Sequence, residues 1–211
     1  MTTFDLFTIG HSNLPAERFI ALLRSAGVDA IADVRSIPAS RFCPWFSAKN
    51  LAPLLAGANM DYLSFGGELG GRPCDPSLYC DSVADYEAMV RRPSFRAGLD
   101  RLLVNAGQRR LCLMCSERDP LDCHRCLLVA RALAARGVTV GHILHDGGFE
   151  SHKATERRLL EGAGDGGDLF ATGQGERLAA AYRRRARAVA YRLKGANKSD
   201  KRATAVKKKS R

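Results

Sequence analysis

A chain of 211 residues with 45% apolar and 26% charged residues has the composition of a globular protein, and no run in it approaches the length of a membrane span. "MTTFDLFTIG" lacks the basic and apolar segments of a secretory leader, and seven cysteines, an odd number, fit a reducing cytosol better than a disulfide framework. The net charge of +11 is lopsided: fourteen of the 33 Lys/Arg but only two of the 22 Asp/Glu fall from Glu176 onward, which puts +12 there and −1 on residues 1–175.

"FDLFTIG" (4–10) reads as a buried strand that ends at a glycine. "LPAERFIALLRSAG" (14–27) carries apolar residues at 19, 22, 23 and 26, a helical spacing opened by Pro15 and closed by Gly27. "VDAIADVR" (28–35) is a second apolar strand. A helix over 47–59 follows, with Pro53 in its first turn or at a kink. Next come a short strand, "MDYLSF" (60–65), and the glycine-rich "GGELGGRP" (66–73), which does not open an evident helix. Residues 74–84 show no period. Helical spacing runs from Asp85 to Ala106 with a break near Pro93; "RRLCLMC" (109–115) is a strand, "LDCHRCLLVARALAARG" (121–137) a helix, and "VTVGHILHDGG" (138–148) a strand and turn. A helix over 150–162, a link at 163–168, a basic helix from Glu176 to Leu193 and a polar end complete the chain. Strands that are apolar throughout and alternate with helices predict an α/β fold, a Rossmann-like parallel sheet with helices on both faces. That domain spans 1–162, followed by a link and basic helix (163–194) and a disordered basic tail (195–211).

In open α/β sheets, ligands bind beyond the carboxyl ends of the strands. The residues that follow the strands here are Gly10-His11-Ser12-Asn13, Asp33-Val34-Arg35 with Arg41 beyond, the 66–72 loop with Glu68, and Cys115-Ser116-Glu117. The last strand contributes His142, His145 and Asp146 to the same edge. Each alone has a structural explanation, such as Ser12 capping a helix or Asp33–Arg35 as an ion pair. Together they point to a polar site in which Arg35, Arg41, Arg72 and Arg125 hold an anion while His11, Asp33 or Glu117 move protons.

Cys112, Cys115, Cys123 and Cys126 form C-x2-C-x7-C-x2-C, the ligand count of structural zinc. However, Cys112 lies in mid-strand, facing away from Cys115, and Cys126 lies among the leucines of a helix; both read as core. No metal is assigned, although Cys115, Cys123 and a histidine retain that capacity. Cys115 stands where strand gives way to loop. Cys123 stands at a helix start, where free amides and Arg125 favour a thiolate and Glu117 and Asp119 oppose it. His124 and Arg125 beside that helix start form an alternative anion site. A strand-Cys-loop-Arg-helix unit also echoes rhodanese-like and tyrosine-phosphatase-like domains. The nine residues between Cys115 and Arg125 include three acids, though, which would repel a phosphoryl or sulfuryl group.

"TIGHSN" (8–13), "DVRSIPASRF" (33–42), "GGELGGRP" (66–73) and "CSERDPLDCHR" (115–125), in this order, resemble the bacterial family catalogued as domain of unknown function four hundred and eighty-eight. The likeness extends over roughly residues 5–162, with "HILHDGG" and "SHKATERRLL" included. It implies an intracellular Rossmann-like domain and brings no assigned reaction. Matched by motif, it places His11, Ser12, Asp33, Arg35, Arg41, Gly70, Gly71, Arg72, Cys115, Glu117, Cys123, His124 and Arg125 in the site. The expected protein is a cytoplasmic enzyme or binding domain for an anionic small molecule or nucleotide, with no cofactor implied and no membrane partner. The runner-up is a persulfide sulfurtransferase using Cys115 or Cys123. The third possibility is non-specific nucleic-acid contact through residues 183–211.

Overall fold

The computed structural model describes residues 4–163 and 173–193. The chain runs through β1 (Leu6–Gly10), α1 (Ala16–Ser25), β2 (Ala30–Asp33), α2 (Ala48–Ala56), β3 (Asp61–Ser64), α3 (Gly66–Leu69), β4 (Tyr79–Cys80) and β5 (Val83–Ala84). It continues through α4 (Tyr86–Val90), α5 (Pro93–Ala106), β6 (Leu111–Cys115), a π-helical segment (Arg125–Ala130) leading into α6 (Arg131–Ala134), β7 (Val140–Ile143), β8 (Phe149–Ser151), α7 (His152–Ala163) and α8 (Gln174–Val189). Six strands form one sheet in the order β3-β2-β6-β1-β7-β8, parallel except for β8. The expected α/β architecture, a parallel sheet between helical layers, is the one observed.

Strand residues alternate between two cores, because successive side chains leave opposite faces of a pleated strand. Phe7, Ile9, Ile31, Cys112 and Met114 pack against Phe19 and Leu23 of α1 and Leu51 and Leu55 of α2. Leu6, Ala32, Leu111, Leu113 and Cys115 pack against α5, the 125–134 helix, α7 and α8. Cys112 and Cys115 therefore do point to opposite sides of the sheet, and Cys126 is fully buried in the larger core.

Several local details depart from the sequence pattern. Pro53 lies inside α2, not in its first turn. Part of the glycine-rich run, Gly66–Leu69, is a short helix. Residues 79–84, which have no period, pair as the two-residue strands β4 and β5. The turn after β7 is followed by an antiparallel strand, β8, before α7 begins. The basic helix is not a free appendage: Ala181, Tyr182 and Ala190 enter the larger core, Arg185 pairs with Asp122 and Arg187 with Asp81. The link over 163–168, apart from Ala163, and the tail over 195–211 lie outside the described residues. Among the described residues no helix is long and apolar enough to cross a membrane.

The topology fixes where a ligand site can form. β1 and β6 are neighbours, yet the chain leaving β1 turns to the α1 face while the chain leaving β6 turns to the opposite face. Such divergence opens a crevice at the carboxyl ends. Its walls are pinned by His11 N–H donating to Cys115 O at 2.9 Å and Ser12 N–H donating to Ser116 O at 2.8 Å. The approach is so close that a Cβ on Gly10 would collide with the Glu117 carbonyl oxygen. Gly10→Ala is expected to destabilise the fold by about 3 kcal/mol through overpacking, read as a lower urea midpoint at unchanged m-value.

Candidate active site

Asp33, at the end of β2, anchors the first half of the site. Its carboxylate accepts from Arg35 Nε at 2.8 Å and Nη2 at 2.6 Å, from the Arg35 amide at 3.1 Å and from Tyr62 OH at 2.8 Å. Arg35 Nη1 donates to His11 Nε2 at 3.2 Å, and His11 Nδ1–H donates to the Ser12 carbonyl at 2.9 Å. The His11 ring stacks on Phe46 with centroids 4.1 Å apart. Burial, reinforced by the Arg35 charge, pushes the His11 pKa down to about 4. His11 is therefore a neutral imidazole with both nitrogens engaged, and the Asp33 carboxylate is committed to a buried arginine. These residues build the wall of the site; none of them is a free acid or base.

The second half is built from both sides of the 115–125 loop. Cys115 Sγ donates to Glu117 Oε2 at 3.0 Å, and Cys123 Sγ donates to the same oxygen at 2.8 Å. His124 Nδ1 lies 3.6 Å from Cys115 Sγ and 4.0 Å from Cys123 Sγ. Its other nitrogen donates to the Val34 carbonyl at 2.9 Å, which fixes the ring orientation. The ring also sits close to Gly71, where an added Cβ would come within 2.7 Å of it. The two thiols differ electrostatically. Burial and the neighbouring Cys123 and Glu117 raise the Cys115 pKa. Burial also opposes ionisation of Cys123, but the hydrogen bond from Cys115 and the charges of Arg125 and His124 prevail, and its pKa falls well below the usual thiol range. Burial and the Cys123 sulfur likewise lift the Glu117 carboxyl.

Arg125 is the largest fully buried side chain. It donates to Glu117 O at 2.5 Å, Arg118 O at 2.9 Å and Thr8 Oγ1 at 3.4 Å, and its amide reaches Cys123 Sγ at 3.4 Å. From Thr8 a hydrogen-bonded row crosses the interior: Thr8 to His142 Nδ1 (2.8 Å), His142 Nε2 to His152 Nδ1 (3.1 Å), His152 Nε2 to Tyr182 OH (3.0 Å) and Tyr182 OH to Glu156 Oε1 (3.0 Å). A carboxylate at one end and an N–H donor at the other allow one proton arrangement, with every donor pointing from Arg125 toward Glu156. Burial holds both histidines neutral, with the His152 pKa lowered to about 4. The unfolded chain thus takes up a proton near pH 6.5 that the folded chain refuses until about 4. Stability should fall as pH drops through that window, by roughly 3 kcal/mol for His152. His152→Gln should flatten the slope of unfolding free energy against pH between 6.5 and 4.

Not every residue singled out from sequence arrives at this cluster. Arg41 is exposed and makes no side-chain hydrogen bond among the described residues. His142 lies within β7 rather than beyond its end and bonds to His152 of α7, and His145 donates to Gly10 O at 2.7 Å. Asp146 caps its own turn through Gly148 N–H. Arg125 does not reach solvent, and its N-terminal amide is occupied by Cys123, so no open helix start awaits an anion there. Ser12 takes a positive φ of 45° at the crevice, Gly70 packs on Ser36, and Ser36 Oγ accepts from the Arg72 amide at 2.9 Å. Arg72, Arg35, Cys115, Glu117 and His124 line a cavity of about 210 Å³ together with Tyr86, Val189 and Tyr191. Tyr62, Tyr86 and Tyr191 lie outside every motif singled out from sequence, because only tertiary contacts bring them here.

No curated protein and no solved structure matches the chain. One family model, described as Domain of unknown function DUF488, matches residues 15–132. The match is narrower than the 5–162 expected from the motifs: it holds Asp33 through Arg125 but leaves out His11 and the histidines of β7 and α7. A match over more than half of the chain places the protein in that family: it is a member of the DUF488 domain family.

Proposed function

We propose that the cavity at the ends of β1, β2 and β6 is the active site of an enzyme acting on a small anionic molecule. One observation carries this: Arg72 lines the cavity beside Cys115 with its guanidinium free of any carboxylate partner among the described residues, held instead over the Tyr191 ring at 4.8 Å. Arg35 lines the wall too, but its charge is matched by Asp33 and all three guanidinium nitrogens are engaged. A volume of about 210 Å³ lies below the range of about 300–1,000 Å³ typical of drug-sized ligands. The size favours a compact anion, or the anionic end of a larger molecule, over a whole enclosed nucleotide. The Cys115 thiol lines the cavity and donates to the Glu117 carboxylate at 3.0 Å, which places a thiol and an acid against the space a substrate would enter.

Sulfur transfer is the second reading, supported by the two adjacent thiols. It ranks lower because the thiol favoured as thiolate, Cys123, lies beneath the cavity lining, whereas the one that lines it, Cys115, is held protonated. Nucleic-acid contact through the tail loses part of its support, since Arg184, Arg185 and Arg187 of α8 bond to the protein body.

A thermal-shift panel of phosphate, sulfate, small carboxylates and nucleoside monophosphates tests anion binding. A ligand at a hundred times its Kd stabilises by about 2.7 kcal/mol. Arg72→Ala should abolish that response while changing the unliganded stability by no more than about 1 kcal/mol, the scale of an exposed cation–π contact. Absence of any anion response that depends on Arg72 would refute the proposal.

A further inference from the structure

We infer that Cys115, Glu117, Cys123 and His124 form a binding site for one divalent ion of the zinc class at the floor of the cavity. Their four ligand atoms, two sulfurs, one carboxylate oxygen and one imidazole nitrogen, all lie within 4.8 Å of one another. A tetrahedral ion with Zn–S of about 2.3 Å and Zn–N of about 2.0–2.1 Å requires S···N edges of about 3.6 Å and S···O edges of about 3.5 Å. Of the observed S···N separations, that from Cys115, 3.6 Å, matches this value and that from Cys123, 4.0 Å, is slightly longer. The S···O separations, 3.0 and 2.8 Å, are the lengths of thiol hydrogen bonds to Glu117. They must widen once the thiol protons are replaced by the ion.

Three further features fit an ion. His124 donates its Nε2–H to the Val34 carbonyl, leaving the Nδ1 lone pair turned toward both sulfurs; this is the outer-shell arrangement that orients metal-bound histidines. The Arg125 amide donates to Cys123 Sγ, a contact that stabilises a thiolate ligand. The charges also balance. Two thiolates and a carboxylate around a divalent ion sum to −1, and the buried guanidinium of Arg125, whose own partners are carbonyls and a hydroxyl, supplies +1. Loading releases to solvent the protons still held by the two sulfurs and Glu117, and involves no oxidation or reduction.

The other candidate cluster in the interior contrasts with this one. In Cys126, His142 and His152 the ring nitrogens already bond to each other, to Thr8 and to Tyr182, so no lone pair is left over. The ion site stands whether or not an anion enters the cavity, and its test reads the ion directly. If an anion does enter, the ion would sit beside it as a Lewis acid.

Metal-stripped, reduced full-length protein in a Cys74→Ser/Cys80→Ser background, which removes the two exposed thiols, is titrated anaerobically with Co²⁺. The expected result is one ion per chain, with near-ultraviolet thiolate-to-cobalt absorption and the visible bands of a tetrahedral site, all displaced by Zn²⁺. Cys115→Ser, Cys123→Ser and His124→Asn should each weaken binding by more than about 100-fold, beyond the effect of outer-shell changes. Glu117→Gln, at a partly exposed position, keeps the test open if the core variants fail to fold; it should shift the visible bands and weaken binding. Cys126→Ser should bind like the parent. Folded, reduced parent protein that shows no thiolate-to-cobalt absorption, or bands that persist unchanged in Glu117→Gln and in the Cys115 and Cys123 variants, would overturn the site. An anion-insensitive protein that still binds cobalt would leave it intact and reject only the substrate proposed above.

Discussion

A guanidinium sealed from water governs this molecule. Removing a cation from solvent costs several kcal/mol unless its hydrogen bonds are met. Arg125, with no exposed surface, meets that cost by binding the carbonyls of Glu117 and Arg118. The consequence is geometric. The loop after β6 must fold back so that those carbonyls face inward, and this brings Cys115, Glu117 and Cys123 around one point. It also presses the Glu117 main chain against Gly10, which explains why no side chain fits at the end of β1. The β1–β6 crevice and the thiol cluster are thus two results of one buried charge.

The architecture was legible because its signal is simple: continuous apolar strands alternating with helices at 3.6-residue spacing predict a parallel sheet with two covered faces. The opposite orientation of Cys112 and Cys115 followed from strand alternation alone. Boundaries and exceptions were less visible. β4, β5 and β8 are two or three residues long, too short to show a period, and α3 is a single turn built from glycines that ordinarily mark loops. Pro53 is tolerated inside α2, where sequence rules would place it earlier.

The chemistry was harder to read than the fold, because residue type does not reveal commitment. Arg35, Arg125 and His11 have the side chains of an anion-binding catalytic site, but their polar atoms are consumed by Asp33, by main-chain carbonyls and by each other. Arg72, one glycine-loop residue among many, lines the cavity with no carboxylate partner among the described residues. Part of the cavity lining is a further surprise. Val189 and Tyr191 come from α8 and the residues after it, beyond the span matched by the family model. The basic charge there is partly spent on docking: Arg185 to Asp122 and Arg187 to Asp81 hold the segment in place.

The row from Arg125 through Thr8, His142, His152 and Tyr182 to Glu156 has a property that none of its members has separately. Each ring nitrogen is a donor or an acceptor only because its neighbour is the reverse, and no buried polar side-chain atom among the described residues is left without a partner. Reversing one link means reversing all of them, which the Glu156 carboxylate, able only to accept, forbids. The interior between the thiol cluster and α8 therefore carries a permanent electrical polarity, set by an arginine on one side and a surface acid on the other.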